Sequence, residues 1–392
     1  MRPAYCTNVV AGRTLADTRR SVVETFGAVR RKLGIADPLP IGLWLSAHAA
    51  RQLPEQPGGA RALRDELGEA GLSVVTLNGF PYHDFRQAVV KHAVYEPHWA
   101  DVRRQLHTML LADLLPDLLP AGTRTASIST VPLGWRARFT QEGCGASVGL
   151  ASALLEQLVD HLARLEARTG VRITVDLEPE PGCMMDRSAD AVGFFEHAVR
   201  ARPGAPDPRR YLGVCHDVCH AAVMFEDQSE ALRAYRSAGI GVHKVQVSSA
   251  LVSDGSPESL AVLASFDEPR WLHQTCVRTP SGDVRFHEDI RWALADGAAG
   301  EWRTHFHVPV FASRLGVLGT TQPQVEECLR ELASWPAPER PLLELETYAW
   351  DALPADPEGA SDLAGGITEE IRWLDACMRR VGLAVDAAGG AS

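Results

Sequence analysis

The sequence predicts an α/β chain folded as a (β/α)8 TIM barrel with long loop insertions after strands three and seven. Three observations predict it. Short apolar runs alternate with amphipathic segments of helical period along nearly the whole chain. The first run is followed by no GxGxxG, reading instead Thr7-Asn8-Val9-Val10-Ala11-Gly12-Arg13, and no P-loop occurs, so the rival open doubly wound sheet lacks its fingerprint. Ligand-type residues also stand at the C-terminal ends of four consecutive strands, the end where barrels carry their sites.

In chain order the strand-like runs are 4–10, 41–46, 73–78, 126–131, 171–177, 211–215, 242–247 and 341–348, each brief, apolar and closed by polar or Gly/Pro turn chemistry. Between them, Thr14 and Asp17 suit a capping box, and Val22, Val23, Phe26, Val29 and Leu33 then recur at spacings of three and four. Segment 150–165 repeats that pattern and meets Gly170, a plausible end residue. Further helices are expected over 190–199, with Ser188 as N-cap, and over 228–238, 324–333 and 367–381. Two stretches exceed a plain repeat: 79–99, aromatic and His-bearing, and 267–311, which holds an extra strand candidate at 305–311. Loops after barrel strands build the active face, so both are expected to cover a pocket. One domain over 1–385 and a short flexible tail over 386–392 are expected.

Composition narrows the partners. The 392 residues are 45% apolar and 23% charged, which suits a globular chain with a sizeable core. With 39 Lys and Arg against 50 Asp and Glu the formal charge is −11, and no basic cluster stands out, so nucleic acid is not expected as a partner. No apolar run approaches the length of a membrane span, and the start of the chain has no secretory h-region, so membrane insertion is not expected. Eight cysteines without paired CxxC spacing read as reduced thiols, and the cytoplasm is the expected compartment.

The chemistry lies at the strand ends. The fifth strand ends Asp176-Leu177-Glu178-Pro179-Glu180, with Asp176 and Glu178 on one face by the period of two. The sixth ends Cys215-His216-Asp217-Val218-Cys219-His220, the seventh carries Lys244, Gln246 and Ser248 on one face, and the eighth carries Glu344 and Glu346. Carboxylates in a barrel mouth cost several kcal/mol each when unpaired. Their convergence with an amide therefore points to a cation: Mg²⁺ or Mn²⁺ for an oxygen-rich set, or Mn²⁺, Co²⁺ or Zn²⁺ if a His joins. His305 and His307 share a face, open to roles as metal ligands (including of a second metal), substrate contacts or packing. Cys215 and Cys219 read as small buried side chains, His216 as packed on a helix, and Trp44 as a core aromatic. Asn78, at the end of strand three, is placed to meet a substrate hydroxyl. Lys244 and Arg136 are the cations that a phosphorylated substrate could use.

These strand ends make the chain resemble the xylose-isomerase-like TIM-barrel superfamily of sugar isomerases, epimerases and endonuclease-IV-like nucleases. The resemblance implies a divalent metal (Mn, Mg, Co or Zn) held by Glu178, Asp217, Gln246 and Glu346. It also implies Glu178 and Glu346 as the acid/base pair of an enediolate mechanism, and His220 as a substrate or ligand-orienting contact. Asn78, Lys244, His305 and His307 complete the expected substrate-binding set. The runs Leu77-Asn78-Gly79-Phe80-Pro81-Tyr82, Val90-Lys91-His92-Ala93-Val94-Tyr95-Glu96-Pro97, Ser127-Ile128-Ser129-Thr130-Val131-Pro132-Leu133-Gly134-Trp135, Leu177-Glu178-Pro179-Glu180-Pro181-Gly182-Cys183, His305-Phe306-His307-Val308-Pro309-Val310-Phe311 and Glu344-Leu345-Glu346-Thr347-Tyr348 are similar to those of the Ebo-type metabolite traffic proteins, a bacterial branch found in natural-product biosynthesis and export clusters. The resemblance implies an isomerase or epimerase of a small polyhydroxylated metabolite (sugar, cyclitol or polyol), with other proteins of such a cluster as partners. A catalytically weak metabolite carrier and an endonuclease-IV-like hydrolase are the alternatives, the latter disfavoured by the negative charge.

Overall fold

The computed structural model describes residues 2–84, 87–141, 144–350, 353 and 362–383. Seven parallel strands stand side by side: β1 (Ala4–Cys6), β2 (Leu39–Trp44), β3 (Leu72–Asn78), β4 (Thr125–Thr130), β5 (Arg172–Leu177), β6 (Leu212–Asp217) and β7 (Val242–Val247). The chain then builds a second sheet from β8 (Leu251–Ser253), β9 (Thr275–Arg278), β10 (Val284–His287), β11 (Glu301–Thr304), β12 (Arg314–Leu315) and β13 (Leu318–Thr320). Only afterwards does β14 (Leu342–Leu345) close the barrel, in parallel with β7 on one side and β1 on the other. The expected eight-stranded (β/α)8 barrel is the observed architecture.

Alternation explains how the barrel closes. Val175 and Leu177 of β5, Val245 and Val247 of β7, and Leu343 and Leu345 of β14 are buried in the apolar layer shared with the surrounding helices. The residues between them point inward, so the same strands that build the core also carry the polar interior. The first helix, Leu15–Leu33, shows the local logic. Thr14 caps it by accepting from the Asp17 N–H at 3.1 Å, an interaction worth about 1 kcal/mol. Leu15, Val22, Phe26 and Val29 bury its inner face, and Gly34 ends it at φ 65°, a left-handed conformation that glycine adopts freely.

Several boundaries differ from expectation; the second strand is Leu39–Trp44 and the eighth stops at Leu345, short of 348. The first strand stops at Cys6, and Thr7–Val10 form a 3-10 turn that swings Asn8 across the mouth of the barrel. The sixth strand runs on to Asp217, because that residue also caps the next helix, Val218–Val223. Ser188 is the first residue of its helix rather than the cap, with its N–H and hydroxyl turned onto Glu226. The extra strand is Glu301–Thr304, not 305–311: beyond Thr304 the chain leaves its ladder, and its N–H groups at His305 and Val308 go to Gln274 and Ser249 carbonyls instead. The tail over 386–392 lies outside the described residues.

The segments after β3 and β7 shape the mouth. Fully buried Arg104 donates to the carbonyls of Gly79 and Pro97 at 2.8 Å each, tying together both ends of the segment after β3. The second sheet, ordered β10-β9-β11-β8-β13-β12 and antiparallel, packs Leu251, Val277, Trp302 and Leu318 into one apolar cluster with Ala11, Trp44 and Ala349. Those last three lie at or just beyond the C-terminal ends of β1, β2 and β14, so the sheet covers the active-face end. Trp44 is a core residue there, with its indole N–H on the Pro81 carbonyl. Among the described residues no helix is long and apolar enough to cross a membrane.

Candidate metal centre

The barrel interior has two polar levels. In the lower one, Lys244 Nζ lies 2.9 Å from Glu344 Oε2, 2.8 Å from Asn78 Oδ1 and 3.0 Å from Ser129 Oγ. Asn78 returns a hydrogen bond to Glu344 Oε1 at 2.9 Å, and its Oδ1 also accepts from Gln246 Nε2 at 3.0 Å. Burial alone would discharge Lys244, but the Glu344 carboxylate outweighs it and holds the ammonium above its ordinary range. Gly42 is required beside this level, since a Cβ there would lie 1.5 Å from Glu344 Oε1. Asn78 and Lys244, expected to meet substrate, thus have their polar atoms engaged with each other beneath the mouth.

The upper level gathers acids with no lysine or arginine among them in the described residues. Oxygens of Glu178, Asp217 and Glu346 lie within 4.8 Å of one another, all three side chains buried. Strand geometry puts them there: Glu178 follows the end of β5, Asp217 ends β6, and Glu346 follows β14, whose Glu344 stands opposite Gln246. Asp217 Oδ1 is used structurally, accepting from the His220 N–H at 2.8 Å and the Ser248 hydroxyl at 2.8 Å. Its Oδ2 is buried with no hydrogen-bond partner, and so is Gln246 Oε1. Burial and the neighbouring carboxylates Glu346 and Asp217 push Glu178 well above the usual range; burial with Asp217 and Glu344 pushes Glu346 up to about 8. Gln246, the register partner of Asp217 across β6 and β7, turns its amide nitrogen to Asn78, and its oxygen has no hydrogen-bond partner. Three buried acids and two orphaned oxygens form the kind of set a hard divalent cation satisfies.

Beside the acids stand imidazoles. His220 and His305 ring centroids are 4.6 Å apart, and His305 and His307 are 5.0 Å apart. Burial drives His220 down to about 4 and His305 well below the ordinary value, and it lowers His307 as well, so all three are neutral near pH 7.

No family model and no curated protein matches the sequence. Solved structures do match the fold. A D-tagatose 3-epimerase-like protein is 9% identical over 98% of this chain and 99% of its own, with a TM-score of 0.53. A xylose isomerase domain protein from Planctomyces limnophilus is 14% identical over 91% and 93%, with a TM-score of 0.50. What this chain shares with them is the (β/α)8 barrel fold.

Several residues of the site escaped the sequence reading. Asn8 donates to Glu346 Oε1 at 2.7 Å, a contact created by the turn that ends β1 early. Glu180 is buried and pushed up to about 8 by that burial, with Oε1 accepting from Tyr95 at 2.6 Å and from Gln274 at 3.2 Å. The Glu178-Pro179-Glu180 spacing was the available signal for Glu180; nothing local marked Tyr95 or Gln274. His216 packs as expected, on Gln228 at 2.8 Å. Arg136 is paired with Asp186 at 3.2 Å.

Proposed function

We propose that this chain is a divalent-metal-dependent isomerase or epimerase of a small polyhydroxylated metabolite. In this reading Glu178, Asp217, Gln246 and Glu346 hold the cation, and Glu178 and Glu346 move protons. The observation that carries it is the convergence of three buried acids, one of them with an orphaned oxygen, together with an unsatisfied amide oxygen on Gln246, the register partner of Asp217. A cation there neutralises the acids and, as a Lewis acid, makes a C–H beside a substrate carbonyl easier to ionise. The all-oxygen donor set suits Mg²⁺ or Mn²⁺ ahead of softer ions.

The chain's own residues supply the rest. Glu178 and Glu346 border one volume from different strands, so one can take a proton from carbon while the other returns one. Asn8 fixes Glu346 through Oε1, and Ser248 with the His220 N–H fixes Asp217 through Oδ1. Asn78 and Lys244 set the orientation of Gln246 from below rather than touching substrate. The second sheet packs its apolar face over that end of the barrel, the kind of cover that would limit water at the mouth. The Ebo-like motifs support the narrower reading that the reaction serves a natural-product cluster in the cytoplasm.

The test is deuterium wash-in. Mn²⁺-loaded protein is incubated in D₂O with a panel of ketoses and inososes and followed by NMR. Deuterium is expected at the carbon beside the carbonyl, and Glu178→Gln lowers that rate by about 10²–10⁴-fold. Binding of a panel member by metal-loaded protein without any exchange would instead establish the carrier reading.

A further inference from the structure

The last helix, Leu363–Arg380, buries Ile367, Ile371 and Leu374 in the main apolar core, and Glu370 stands fully buried within that stripe. Its carboxylate is met by neutral donors. Oε1 accepts from the Thr347 hydroxyl at 2.6 Å and from the Val310 N–H at 3.0 Å, and Oε2 accepts from the Tyr5 hydroxyl at 2.6 Å. These donors come from three distant parts of the chain. Tyr5 belongs to β1, Thr347 directly follows Glu346 of the acid set, and Val310 lies three residues beyond His307. A second tie joins two of those segments: His307 Nδ1 faces the Glu346 carbonyl at 2.6 Å, an acceptor, so this nitrogen carries the proton.

We propose that Glu370 is a positioning residue of the candidate site, holding the segment that carries Glu346 and the segment that carries His307 in one fixed arrangement through Thr347 and Val310. The proposal rests on the reading of Glu346 as a member of the metal-binding and proton-moving set.

Glu346 needs such support because β14 has ended at Leu345, leaving its backbone N–H on the Val247 carbonyl at 3.2 Å. Segments 305–310 and 346–347 share no strand ladder among the described residues, so their spacing falls to side-chain contacts. A carboxylate suits that task. It takes two donors on one oxygen and a third on the other, which brings Thr347 and Val310 to a single atom. Packing of the helix does not call for an acid here: a leucine would continue the stripe, whereas a buried carboxylate among neutral donors is costly. Burial pushes the Glu370 carboxyl up to about 7, against the pull of its donors. The far oxygen is locked in turn. Trp350 donates to the Tyr5 hydroxyl at 3.2 Å, and its ring lies so close over Gly366 that a Cβ there would come within 2.4 Å of it.

Three variants test the role. Glu370→Leu removes the acceptor, Thr347→Val removes one donor while keeping the shape, and Thr347→Ser keeps the hydroxyl. Melting temperatures identify the folded variants, and Thr347→Val carries the test should Glu370→Leu fail to fold. Imidazole ¹⁵N spectra of histidine-labelled protein, with His307 assigned through His307→Gln, need neither metal nor substrate. The His307 signals are expected to shift in Glu370→Leu and Thr347→Val and to stay in Thr347→Ser, with His216, held by Gln228, as the unmoved reference. Mn²⁺ affinity, and the deuterium exchange rate at saturating Mn²⁺ and substrate, should each fall about 10–100-fold in the first two variants only, with KM nearly unchanged. Unmoved His307 signals in folded Thr347→Val, or unchanged Mn²⁺ affinity in folded variants, would overturn the positioning role. Equal losses in Thr347→Ser and Thr347→Val would do the same, since the hydroxyl would then not matter. Wild-type protein that binds no Mn²⁺ or exchanges no deuterium fails the metal or the reaction reading instead, and the His307 spectra then decide the role of Glu370 by themselves.

Discussion

The two polar levels inside the barrel contain the same acid chemistry and solve it in opposite ways. Below, the Glu344 carboxylate is neutralised by Lys244 and bonded by Asn78, a closed network whose charges cancel within the protein. Above, Glu178, Asp217 and Glu346 meet with no lysine or arginine among them in the described structure, and Gln246 and Asp217 present oxygens that nothing satisfies. The lesson is that a buried acid alone indicates little. What marks the site is a charge imbalance that the fold leaves open while closing one of the same kind directly beneath it.

The largest expected effect breaks the lower level. Lys244→Met leaves Glu344 buried and unpaired, and is expected to cost about 3–5 kcal/mol in chemical denaturation. Adding Glu344→Leu should recover most of that loss; no recovery would mean the two charges are not one unit. The upper level responds to metal instead. Saturating Mn²⁺ at about 100 times Kd should raise stability by about 2.7 kcal/mol in calorimetry, and Glu178→Gln should abolish most of the gain.

A sharper contrast compares the glutamates two residues apart on the last strand. In chelator at pH 9, Glu344→Gln is expected to destabilise by about 1–3 kcal/mol, because it strands the Lys244 charge. Glu346→Gln should raise the melting temperature of the same metal-free protein, since it removes like-charge repulsion; equal signs for the two would erase the distinction between the levels.

The smallest effect lies at the lower end of the barrel, where His243 Nδ1 is 2.7 Å from Asp176. Burial pulls His243 down, yet Asp176 outweighs it and the folded pKa is raised. Its contribution is therefore fully present below the unfolded value of about 6.5 and is lost as pH rises through the raised folded value. The stability difference between wild type and Asp176→Asn should narrow over that rise, measured by thermal melts across pH.

Strand spacing was legible because alternation is a local rule: with Val175 and Leu177 outward, Asp176 and Glu178 had to face inward, and the same reasoning placed Gln246 and Glu346. The Asp217-to-His220 spacing was also visible, although its local reason was not, namely that Asp217 caps the helix on which His220 lies. Asn8 was hidden because a 3-10 turn replaces the end of an apparently continuous apolar run. The 305–311 segment read as a strand because its alternation is real, but two of its N–H groups bond to loop carbonyls, which no periodicity records.

The sequence by itself determined the alternating architecture, the inward face of each barrel strand and the residue types at the mouth, since all of these follow from local periodicity and side-chain chemistry. Only the tertiary structure decided which acids were already neutralised, which oxygens were orphaned, and that imidazoles from the added segment between β11 and β12 reach the same mouth. Those outcomes depend on partners as far apart as Asn8 and Glu346, or Asn78 and Lys244. Hydrogen bonding and charge compensation across such separations are set by barrel closure and strand register, which no short stretch of chain encodes.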